Sequence, residues 1–479
     1  MGTAFENLCT AFLTHDPVQA GQLRNVRRYA DWALEQGLPA TDTGIDLVAE
    51  LHDDPDQFAA IQCKFLETGG SVAKKEIDSF LAASGRPEFR RRVWIDTTGR
   101  PWSRNAEETL RAQEKPVQRI GLHYLKASPI DWAAYVASGT VGEREPPKIP
   151  RPHQQDAIDS TLAYLVDPGT RGKLLMACGT GKTLVGLRVA ERVAGEGGRV
   201  LVLMPSLALL SQTLRTWLDD ATLPIRAFAV CSDSQTGRPR RSAADTADMD
   251  VLDLAWPATT DAAALATRAS PDAPDAMTVV FATYQSSGVV SDAQLNHGLP
   301  AFDLAVADEA HRTAGALMPG EDPSPFVRIH DEEAILADRR LYMTATPKVY
   351  AASARNRAGE FATTLCSMDD EDRYGPVLHE TRFGDAVDRD LLADYRVIVL
   401  TVPESLAAGI RIREFEDGAQ LTLDERGKMI GCLRALAKTD ADEFPEDDRA
   451  PMRRAIAFCN LVKSSQRLEG RIEDVAEAY

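Results

Sequence analysis

The amino-acid sequence predicts an α/β protein, and three observations support this fold class. Short apolar runs with the length of buried strands alternate with helical segments along most of the chain. A glycine-rich loop, Met176–Thr183 (MACGTGKT), joins one such strand to a helix. An acidic pair, Asp308 and Glu309, closes another strand. Because α/β sheets bind ligands beyond the carboxyl ends of their strands, both motifs are predicted to lie where a ligand would bind.

The glycine-rich loop has the composition of a phosphate-binding cradle. It follows the apolar run Lys173–Cys178 and opens a predicted helix, which is the context that such a cradle requires. The glycines allow backbone N–H groups to point at β- and γ-phosphate oxygens, the lysine adds a positive charge, and the final threonine can ligate Mg²⁺. Met176 stands where the strict pattern has glycine or alanine. The predicted phosphate-binding residues are Gly179, Thr180, Gly181, Lys182 and Thr183.

The acidic pair supplies the other half of a nucleotide-hydrolysing site. The run Phe302–Ala307 reads as a buried strand that ends at the two carboxylates. Asp308 can hold Mg²⁺, directly or through water, and Glu309 can orient and deprotonate the attacking water. Alone, such a pair can close a strand by chance. Beside the glycine-rich loop, it predicts an ATPase that uses Mg²⁺.

Further fragments occur in the order expected of superfamily 2 helicases and translocases, and the chain resembles that family. Arg151–Gln155 (RPHQQ) resembles the element that reads adenine, with Gln154 as the amide. The resemblance implies that His311 of the DEAH sequence couples hydrolysis to movement together with Thr344 and Thr346. The other fragments similar to motifs of the family are Val200–Pro205, Ser206–Thr213, Val279–Gln285 and Leu341–Pro347.

Composition limits the partners and the compartment. The formal net charge of −18 excludes a generally basic nucleic-acid binder. Contacts to DNA would use local clusters, such as Arg90–Arg92 or Arg238, Arg240 and Arg241, unless these are solvated loops. Seven cysteines without a CxxC pair indicate neither a zinc ribbon nor a disulfide framework. The sequence shows no secretion signal and no apolar run of membrane-spanning length, which predicts a reduced, cytoplasmic setting without a membrane.

The residues before the motor motifs predict a separate mixed α/β region. A stretch with the composition of an exposed linker, Gly142–Pro152 (GEREPPKIPRP), separates this region from the motor. Its predicted elements are helices Thr3–Leu13, Gln22–Glu35 and Lys74–Ala83, and strands Ile45–Leu51, Phe58–Phe65 and Arg92–Asp96.

Within this region, Asp46 (in DTGIDLVAE) and Gln62 with Lys64 (in IQCKF) form the pattern of PD-(D/E)XK nucleases, and the glutamine variant resembles the Mrr-like branch. Asp46 can bind Mg²⁺, and Gln62 can offer a carbonyl beside it. Lys64 can help to activate water or stabilise the pentavalent phosphate. Glu6, on the first predicted helix, resembles the helical acid of the family and is implied to complete the metal shell. An exposed helix carboxylate is the alternative for Glu6.

Strand geometry sets a condition for this site. Gln62 and Lys64 share one face by alternation, and Cys63 points to the opposite layer. Asp46 joins them only if the two strands pair with an odd number of loop residues, because a slip of one residue sends it to the other face. The alternative is a hairpin whose polar residues face water.

A nuclease region fused in this order to a DEAH motor resembles the N-terminal part of type I single-polypeptide (type ISP) restriction-modification enzymes. The resemblance implies ATP-driven movement on double-stranded DNA from a recognition site and cleavage of unmodified, foreign DNA. It also implies a methyltransferase that uses S-adenosylmethionine and a target-recognition domain. No NPPY-type or AdoMet-binding glycine motif occurs here, and these parts are expected outside this chain or on another chain. The stretches of this chain that further resemble type ISP enzymes are Trp102–Leu110, Ser367–Leu378, Leu391–Val399 and Ala455–Asn460.

These patterns predict about three domains. Residues 1–135 are expected to form the nuclease-like domain, 136–150 a linker, 151–390 the first RecA-like domain, and 391–479 the start of a second. The chain is expected to end inside that second domain, because only one helix follows the strand predicted at Ala455–Asn460. Gln466–Arg471 (QRLEGR) resembles an arginine-finger motif superficially and is predicted to begin that helix.

An insertion rich in alanine and aspartate, Ser232–Met277, is predicted to be a surface excursion. Within it, Thr259–Asp261 (TTD) either touches a DNA backbone or caps a helix before Ala262. Two other functions stay open at this point. One is a translocase or remodeller whose N-terminal domain binds DNA without cutting it, and the other, less favoured, is an RNA helicase.

Overall fold

The computed structural model describes residues 2–40, 44–52, 54, 56–66, 72, 74–98, 102, 105, 109–110, 113, 115, 117–231, 256–317, 324–351, 364–395, 423–438, 450–459, 465, 468–469, 471–473 and 475–476. The described residues up to Leu392 form one compact unit, and those from Ala393 onward form another. No helix in the described part of the chain has both the length and the apolar content needed to span a membrane.

The N-terminal region contains a five-stranded mixed sheet. Its strands are β1 (Leu23–Arg28), β2 (Leu47–Leu51), β3 (Phe58–Lys64), β4 (Phe89–Asp96) and β5 (Val117–Ile120), and they lie side by side in that order. The first three strands pair antiparallel, and β3, β4 and β5 pair parallel. The helices of this region are α1 (Gly2–His15), α2 (Pro17–Ala20), α3 (Tyr29–Glu35), α4 (Lys74–Ala83), α5 (Leu122–Ala127) and α6 (Trp132–Ser138).

Alternate residues of β3 pack against helices on different faces of this sheet. Ile61 and Cys63 share a buried cluster with Cys9 of α1. Ala60 lies in a second buried cluster with Ile77 of α4. The period of two along the strand therefore separates an α1 face from an α4 face.

The helix predicted over Gln22–Glu35 is wrong in its first half. Leu23–Arg28 forms the edge strand β1, and the helix begins only at Tyr29. Leu23 pairs with Leu51, and the register of the two strands shifts further along, between Arg24 and Arg27. The backbone N–H and C=O groups of β1 form hydrogen bonds with β2, whereas in a helix they would bond within the segment. Because β2 is distant in sequence, the local pattern did not indicate this pairing.

The motor region contains an eight-stranded parallel sheet with the order β15-β6-β13-β11-β7-β10-β8-β9. Its strands are β6 (Arg171–Met176), β7 (Arg199–Met204), β8 (Ile225–Val230), β9 (Ala258–Thr259), β10 (Met277–Thr283), β11 (Leu304–Asp308), β13 (Arg340–Thr344) and β15 (Val377–Thr381), and β12 (Gly315–Leu317) pairs separately with β14 (Thr364–Cys366). Its helices are α7 (Pro152–Tyr164), α8 (Lys182–Ala194), α9 (Leu207–Asp220), α10 (Ala262–Ala269), α11 (Ser287–His297), α12 (Glu371–Tyr374) and α13 (Phe383–Asp388).

The end of the predicted surface excursion is part of this core, which corrects the prediction for residues 256–277. Strand β9 extends the sheet, and Trp256 and Leu265 are buried. Asp261 is the N-cap of α10, and its side chain accepts from the Ala264 N–H at 3.0 Å. The capping alternative for the TTD sequence is therefore confirmed, and residues 232–255 lie outside the described part.

The predicted linker is fixed to the motor along part of its length. Residues 139–151 have no regular secondary structure, as the composition predicts, although α6 continues to Ser138, inside the predicted 136–150 linker. The Arg144 guanidinium nevertheless donates to the carbonyls of Leu218 and Asp219 at the end of α9. Lys148 Nζ lies 2.9 Å from the Asp220 carboxylate. These contacts hold the stretch against one helix.

The N-terminal region also contacts α9 directly. The Arg215 Nη1 atom lies 2.9 Å from Oδ2 of Asp16, which is fully buried at the start of α2. The Arg215 guanidinium lies 5.9 Å from the centre of the Tyr124 ring, and a Cβ on Gly21 would be 3.4 Å from the Trp256 ring. Side chains of both regions thus share one interface.

The first predicted basic cluster has a structural role. Arg92 is buried and donates to the carbonyls of Leu81 and Lys115. Arg90 pairs with Asp54 at 2.7 Å. Because Arg92 is buried and both of its Nη atoms donate to protein groups, the prediction of a DNA-contacting cluster is wrong for Arg92. Arg238, Arg240 and Arg241 lie outside the described residues.

The second unit contains α14 (Leu423–Ala437) and the stretch 450–459. The strand predicted at Ala455–Asn460 is absent over residues 455–459, where Ile456 and Phe458 are exposed. A strand is defined by pairing with a neighbour, and none of the described residues supplies one here. Residues 396–399, Asn460 and half of Gln466–Arg471 lie outside the described part, and the described residues of the latter, Leu468, Glu469 and Arg471, are helical, as predicted.

Candidate active sites

The glycine-rich loop lies between β6 and α8, as predicted. Gly179 and Gly181 have φ angles of 86° and 91°, in the left-handed region that favours glycine. A Cβ on Gly181 would collide with the Gln154 amide. Helix α8 begins directly after this turn, at Lys182. The first N–H groups of α8, including that of Thr183, are therefore available to an anion at the loop.

Gln154 is fixed beside the loop through both ends of its amide. Its Nε2 atom donates to the Thr180 carbonyl at 3.0 Å, and its Oε1 atom accepts from the Arg151 N–H at 2.8 Å. The His153 Nε2 atom also lies 3.0 Å from the Thr180 carbonyl. A cleft of about 360 Å³ opens here, which is the size of a small-ligand site. It is lined by Lys148, Ile149, Arg151, Gln154, Gly179, Thr180 and Leu184.

Lys182 and Asp308 lie close enough for their charges to interact. Lys182 Nζ donates to the Met176 carbonyl at 3.2 Å. Asp308 is only 8% exposed, and burial raises the pKa of its carboxyl to about 6, although the Glu309 N–H and the Lys182 charge favour the ionised form. A desolvated carboxylate gains from a nearby cation. Asp308 is therefore suited to hold Mg²⁺.

Glu309 begins a chain of polar contacts that contains all of the predicted coupling residues. Its Oε2 atom lies 3.3 Å from Nδ1 of His311. The same His311 nitrogen lies 3.0 Å from Oγ1 of Thr344, which accepts from the Thr346 N–H at 3.2 Å. The structure thus links the acidic pair to the loop after β13.

Asp46 and Gln62 meet as the predicted hairpin register requires. Seven residues, 51–57, separate the paired Glu50 and Phe58, and this number is odd. One step beyond the Leu47–Ile61 pair, the same register places Asp46 opposite Gln62. Gln62 Nε2 donates to Asp46 Oδ2 at 2.5 Å. The Cys63 N–H donates to the same oxygen at 2.7 Å. The Asp46 carboxylate is therefore oriented by β3.

Lys64 lies on the same face as Gln62 and contacts α4. Its Nζ atom is 3.1 Å from Oε1 of Glu76, and its side chain is 30% exposed. Lys64 is therefore held at the edge of the site by an acid that sequence analysis did not identify.

Cys63 packs in the α1 layer, as predicted. Burial is the main reason that the pKa of its thiol lies well above the ordinary value, and its hydrogen bond with Cys9 raises this pKa as well. The charges of Asp46 and Glu6 raise this pKa further, so both carboxylates lie near Cys63. Glu6 thus approaches from the α1 side of the sheet, and its role as a metal ligand stays a prediction.

Three residues that lie in these sites were not predicted from the sequence. His153 directly precedes Gln154, and Tyr284 lies within the fragment Val279–Gln285, so both stand inside motifs that the sequence shows. The hydroxyl of Tyr284 donates to the Asp308 carbonyl at 2.7 Å. Glu76 had no sequence signal, because its contact with Lys64 arises from the packing of α4 on the sheet.

Two protein families match the chain, one for each sheet. Residues 14–141 match a restriction endonuclease family, and residues 148–349 match the family of the type III restriction enzyme res subunit. The chain therefore contains a restriction-endonuclease domain followed by a helicase ATPase domain.

Solved structures give the more specific likeness. The ATP-dependent type ISP restriction-modification enzyme LlaBIII bound to DNA is 34% identical, with a TM-score of 0.83, over 100% of this chain and 30% of LlaBIII. The structure of this chain thus matches a type ISP restriction-modification enzyme, as the sequence predicted. A nuclease-deletion mutant of the type ISP enzyme LlaGI, in complex with a DNA substrate mimic, is 37% identical over 51% of this chain and 21% of its own, with a TM-score of 0.39.

A viral protein is also similar to this chain. The probable helicase A859L of African swine fever virus is 25% identical over 363 residues, which are 75% of this chain and 35% of the relative. The chain therefore spans about a third of the length of LlaBIII and of the viral helicase.

Proposed function

We propose that this chain is the nuclease and motor part of a type ISP restriction enzyme, which uses ATP to move along double-stranded DNA and cuts foreign or unmethylated DNA. The observation that carries the proposal is the similarity of the whole chain to LlaBIII in its DNA-bound form, at a TM-score of 0.83. The two candidate sites support it, because one has the groups for ATP hydrolysis and the other has those for phosphodiester cleavage.

In the proposed motor, each residue near the loop has a separate role. Lys182 neutralises phosphate charge, and Gln154 reads adenine through the second N–H of its amide and the second lone pair of its Oε1 atom, because one of each is already bonded to Thr180 and Arg151. Thr183 and Asp308 would hold Mg²⁺, which would neutralise charge that develops on the phosphates. Glu309 takes the proton from the attacking water.

Two variants test these motor roles in the full-length protein. Lys182→Ala should weaken the binding of a fluorescent ATP analogue by roughly tenfold to a hundredfold, because it removes a charged hydrogen-bond donor. Glu309→Gln should bind the analogue normally and lower the rate of hydrolysis by about 10²- to 10⁴-fold, because the phosphate cradle stays intact. Equal loss of binding in both variants would contradict the assignment.

The proposed nuclease site has oxygen atoms that fit a divalent cation. Gln62 is 5% exposed, and its Oε1 atom is buried without a hydrogen-bond partner among the described residues. A buried carbonyl oxygen in this state is unfavourable unless it meets a donor or a cation. Beside the Asp46 carboxylate, it forms part of an oxygen shell of the kind that Mg²⁺ prefers. Bound Mg²⁺ would polarise the scissile phosphate.

The other nuclease residues act around that cation in the proposal. Glu6 completes the shell from α1, and Lys64 stabilises the charge of the pentavalent phosphate at the edge of β3. Glu76 keeps the Lys64 ammonium on the α4 face, at 3.1 Å. Movement of this ammonium towards a phosphate would exchange one anionic partner for another.

Nicking of supercoiled DNA by the full-length enzyme tests the nuclease. Asp46→Ala and Lys64→Ala should abolish cutting while DNA-stimulated ATP hydrolysis persists, because the motor site is separate. Cys63→Ala is the matched control, since it lies between these residues in sequence and packs in the opposite layer. ATPase activity without nicking in the unaltered enzyme would favour a remodeller with a non-cleaving DNA-binding domain.

The domain limits form part of this proposal. Residues 1–135 would be the nuclease domain, 136–150 a connector, 151–390 the first RecA-like domain, and 391–479 the start of a second. A methyltransferase that uses S-adenosylmethionine and a target-recognition domain would act with them, and the setting would be cytoplasmic. Binding of labelled S-adenosylmethionine to the full-length protein and its purified partners tests for the methyltransferase.

A further inference from the structure

A buried tyrosine reaches from one strand of the motor sheet to the acidic pair on another. Tyr284 follows β10, and Asp308 ends β11, while β7 lies between these two strands. The Tyr284 hydroxyl donates to the backbone carbonyl of Asp308 at 2.7 Å. Tyr284 is 0% exposed, and its ring stacks on Phe326 with 5.3 Å between the ring centres. Its hydroxyl is therefore held in place in the buried interior, away from water.

This contact fixes one end of the peptide unit between Asp308 and Glu309. The other end is fixed as well, because the Glu309 N–H donates to Oδ1 of Asp308 at 2.9 Å. A peptide unit is planar, so that two hydrogen bonds at its opposite ends set its rotation. Glu309 then takes φ and ψ angles of 48° and 46°, in the left-handed region that non-glycine residues rarely adopt.

The direction of the Glu309 carboxylate depends on this backbone. In the observed conformation its Oε2 atom lies 3.3 Å from His311 Nδ1. If the preceding peptide rotated, Glu309 would relax from its unfavourable angles, and its carboxylate would leave this position. The hydrogen bond from Tyr284 opposes that rotation.

We propose that Tyr284 is a positioning residue for ATP hydrolysis, which holds the peptide before Glu309 so that the Glu309 carboxylate faces the attacking water. This inference rests on the proposed ATPase function of the motor. Tyr284 touches neither the nucleotide nor the reacting water in this scheme. Its effect should appear in the rate of hydrolysis and not in nucleotide affinity, because the phosphate cradle on β6 and α8 is independent of it.

The test compares Tyr284→Phe with Tyr342→Phe in the full-length protein. Tyr342 is a matched control, because it is also 0% exposed and its hydroxyl also makes a buried hydrogen bond, at 3.0 Å to His330 Nδ1. Tyr284→Phe should lower kcat for DNA-stimulated ATP hydrolysis by roughly fivefold, as expected for one lost hydrogen bond. Its KM and its affinity for a fluorescent ATP analogue should stay at wild-type values. Tyr342→Phe should leave kcat unchanged.

The outcomes separate this inference from the proposed function. If the unaltered protein hydrolyses ATP, Glu309→Gln does not, and Tyr284→Phe keeps the rate of Tyr342→Phe, then the motor assignment stands and the role of Tyr284 is refuted. A fall in nucleotide affinity equal to the fall in kcat would also refute it, because it would indicate general damage to the cleft. If the unaltered protein lacks ATPase activity, the proposed function itself fails.

Discussion

The ion pair between Asp16 and Arg215 predicts how firmly the nuclease domain is held on the motor. Asp16 begins α2 in the nuclease domain, and Arg215 lies on α9 in the motor, at 2.9 Å between Oδ2 and Nη1. The other carboxylate oxygen of Asp16 caps α2 by accepting from the N–H groups of Val18 and Gln19. Arg215→Met removes the charge and keeps much of the apolar stem in place.

Burial sets the expected magnitude. Asp16 is fully buried, and the Arg215 side chain is 15% exposed. Removal of one partner from a buried pair destabilises a protein by about 3–5 kcal/mol, because the other charge stays in a dry site. The two N–H donors that cap α2 still stabilise Asp16, and Arg215 is not wholly dry. We therefore expect a smaller loss, about 2 kcal/mol.

Amide hydrogen exchange measures this loss where it occurs. The N–H groups of Ala20 and Gly21 bond within α2, to the carbonyls of Asp16 and Pro17. A local loss of about 2 kcal/mol should speed their exchange by roughly 30-fold. Lys74→Met is the control, because the Lys74–Asp78 pair is about half exposed on both sides and should contribute at most about 0.5 kcal/mol. Wild-type exchange in α2 of Arg215→Met would refute the reasoning.

Two further predictions concern a glycine and a buried acid in the motor. Gly181→Ala should weaken the binding of a fluorescent ATP analogue, because its φ angle of 91° disfavours a side chain by about 1–2 kcal/mol and the new Cβ would collide with Gln154. Gly195→Ala, at a φ of 66° in open space, should bind normally, and equal losses in both variants would contradict the steric explanation. Burial raises the pKa of Asp219 to about 6 against the opposing charge of Arg215, so the stability linked to its proton is present below the ordinary value of 3.8 and is lost as the pH rises through 6. Asp219→Asn should therefore raise the free energy of unfolding at pH 8 by on the order of 1 kcal/mol after allowance for solvent screening, which thermal unfolding at that pH would show as a higher midpoint than wild type. An equal gain at pH 4 would contradict this.

The features of the candidate sites that local sequence encodes were predictable. The glycine-rich loop needs positive φ angles at Gly179 and Gly181, and these are observed. The Asp46 and Gln62 contact followed from strand alternation and one condition on the loop, because the period of two allows only two faces. In both cases the chemistry depends on residues that are close in sequence or joined by one hairpin.

The predictions that were wrong or missing concern residues whose partners are distant in sequence. Strand β1 was predicted as a helix because it lacks the alternation of a half-buried strand. Its register shifts between Arg24 and Arg27, and Asn25 adopts a positive φ of 51°. Such an irregularity removes the period-two signal. The contact between Tyr284 and Asp308 was missed for a related reason, because it depends on strand order in the sheet, which separate motifs do not reveal.

The connector between the domains shows what composition alone leaves out. Its proline and charged residues correctly predict a stretch without helix or strand over residues 139–150, but such a stretch can still be fixed. The donors of Arg144 and Lys148 reach the end of α9, where a helix presents unpaired carbonyls and a partial negative charge. Arg215 lies little more than one turn before that end, on the same helix. One helix therefore anchors both the connector and the nuclease domain, so that a movement of α9 displaces both together.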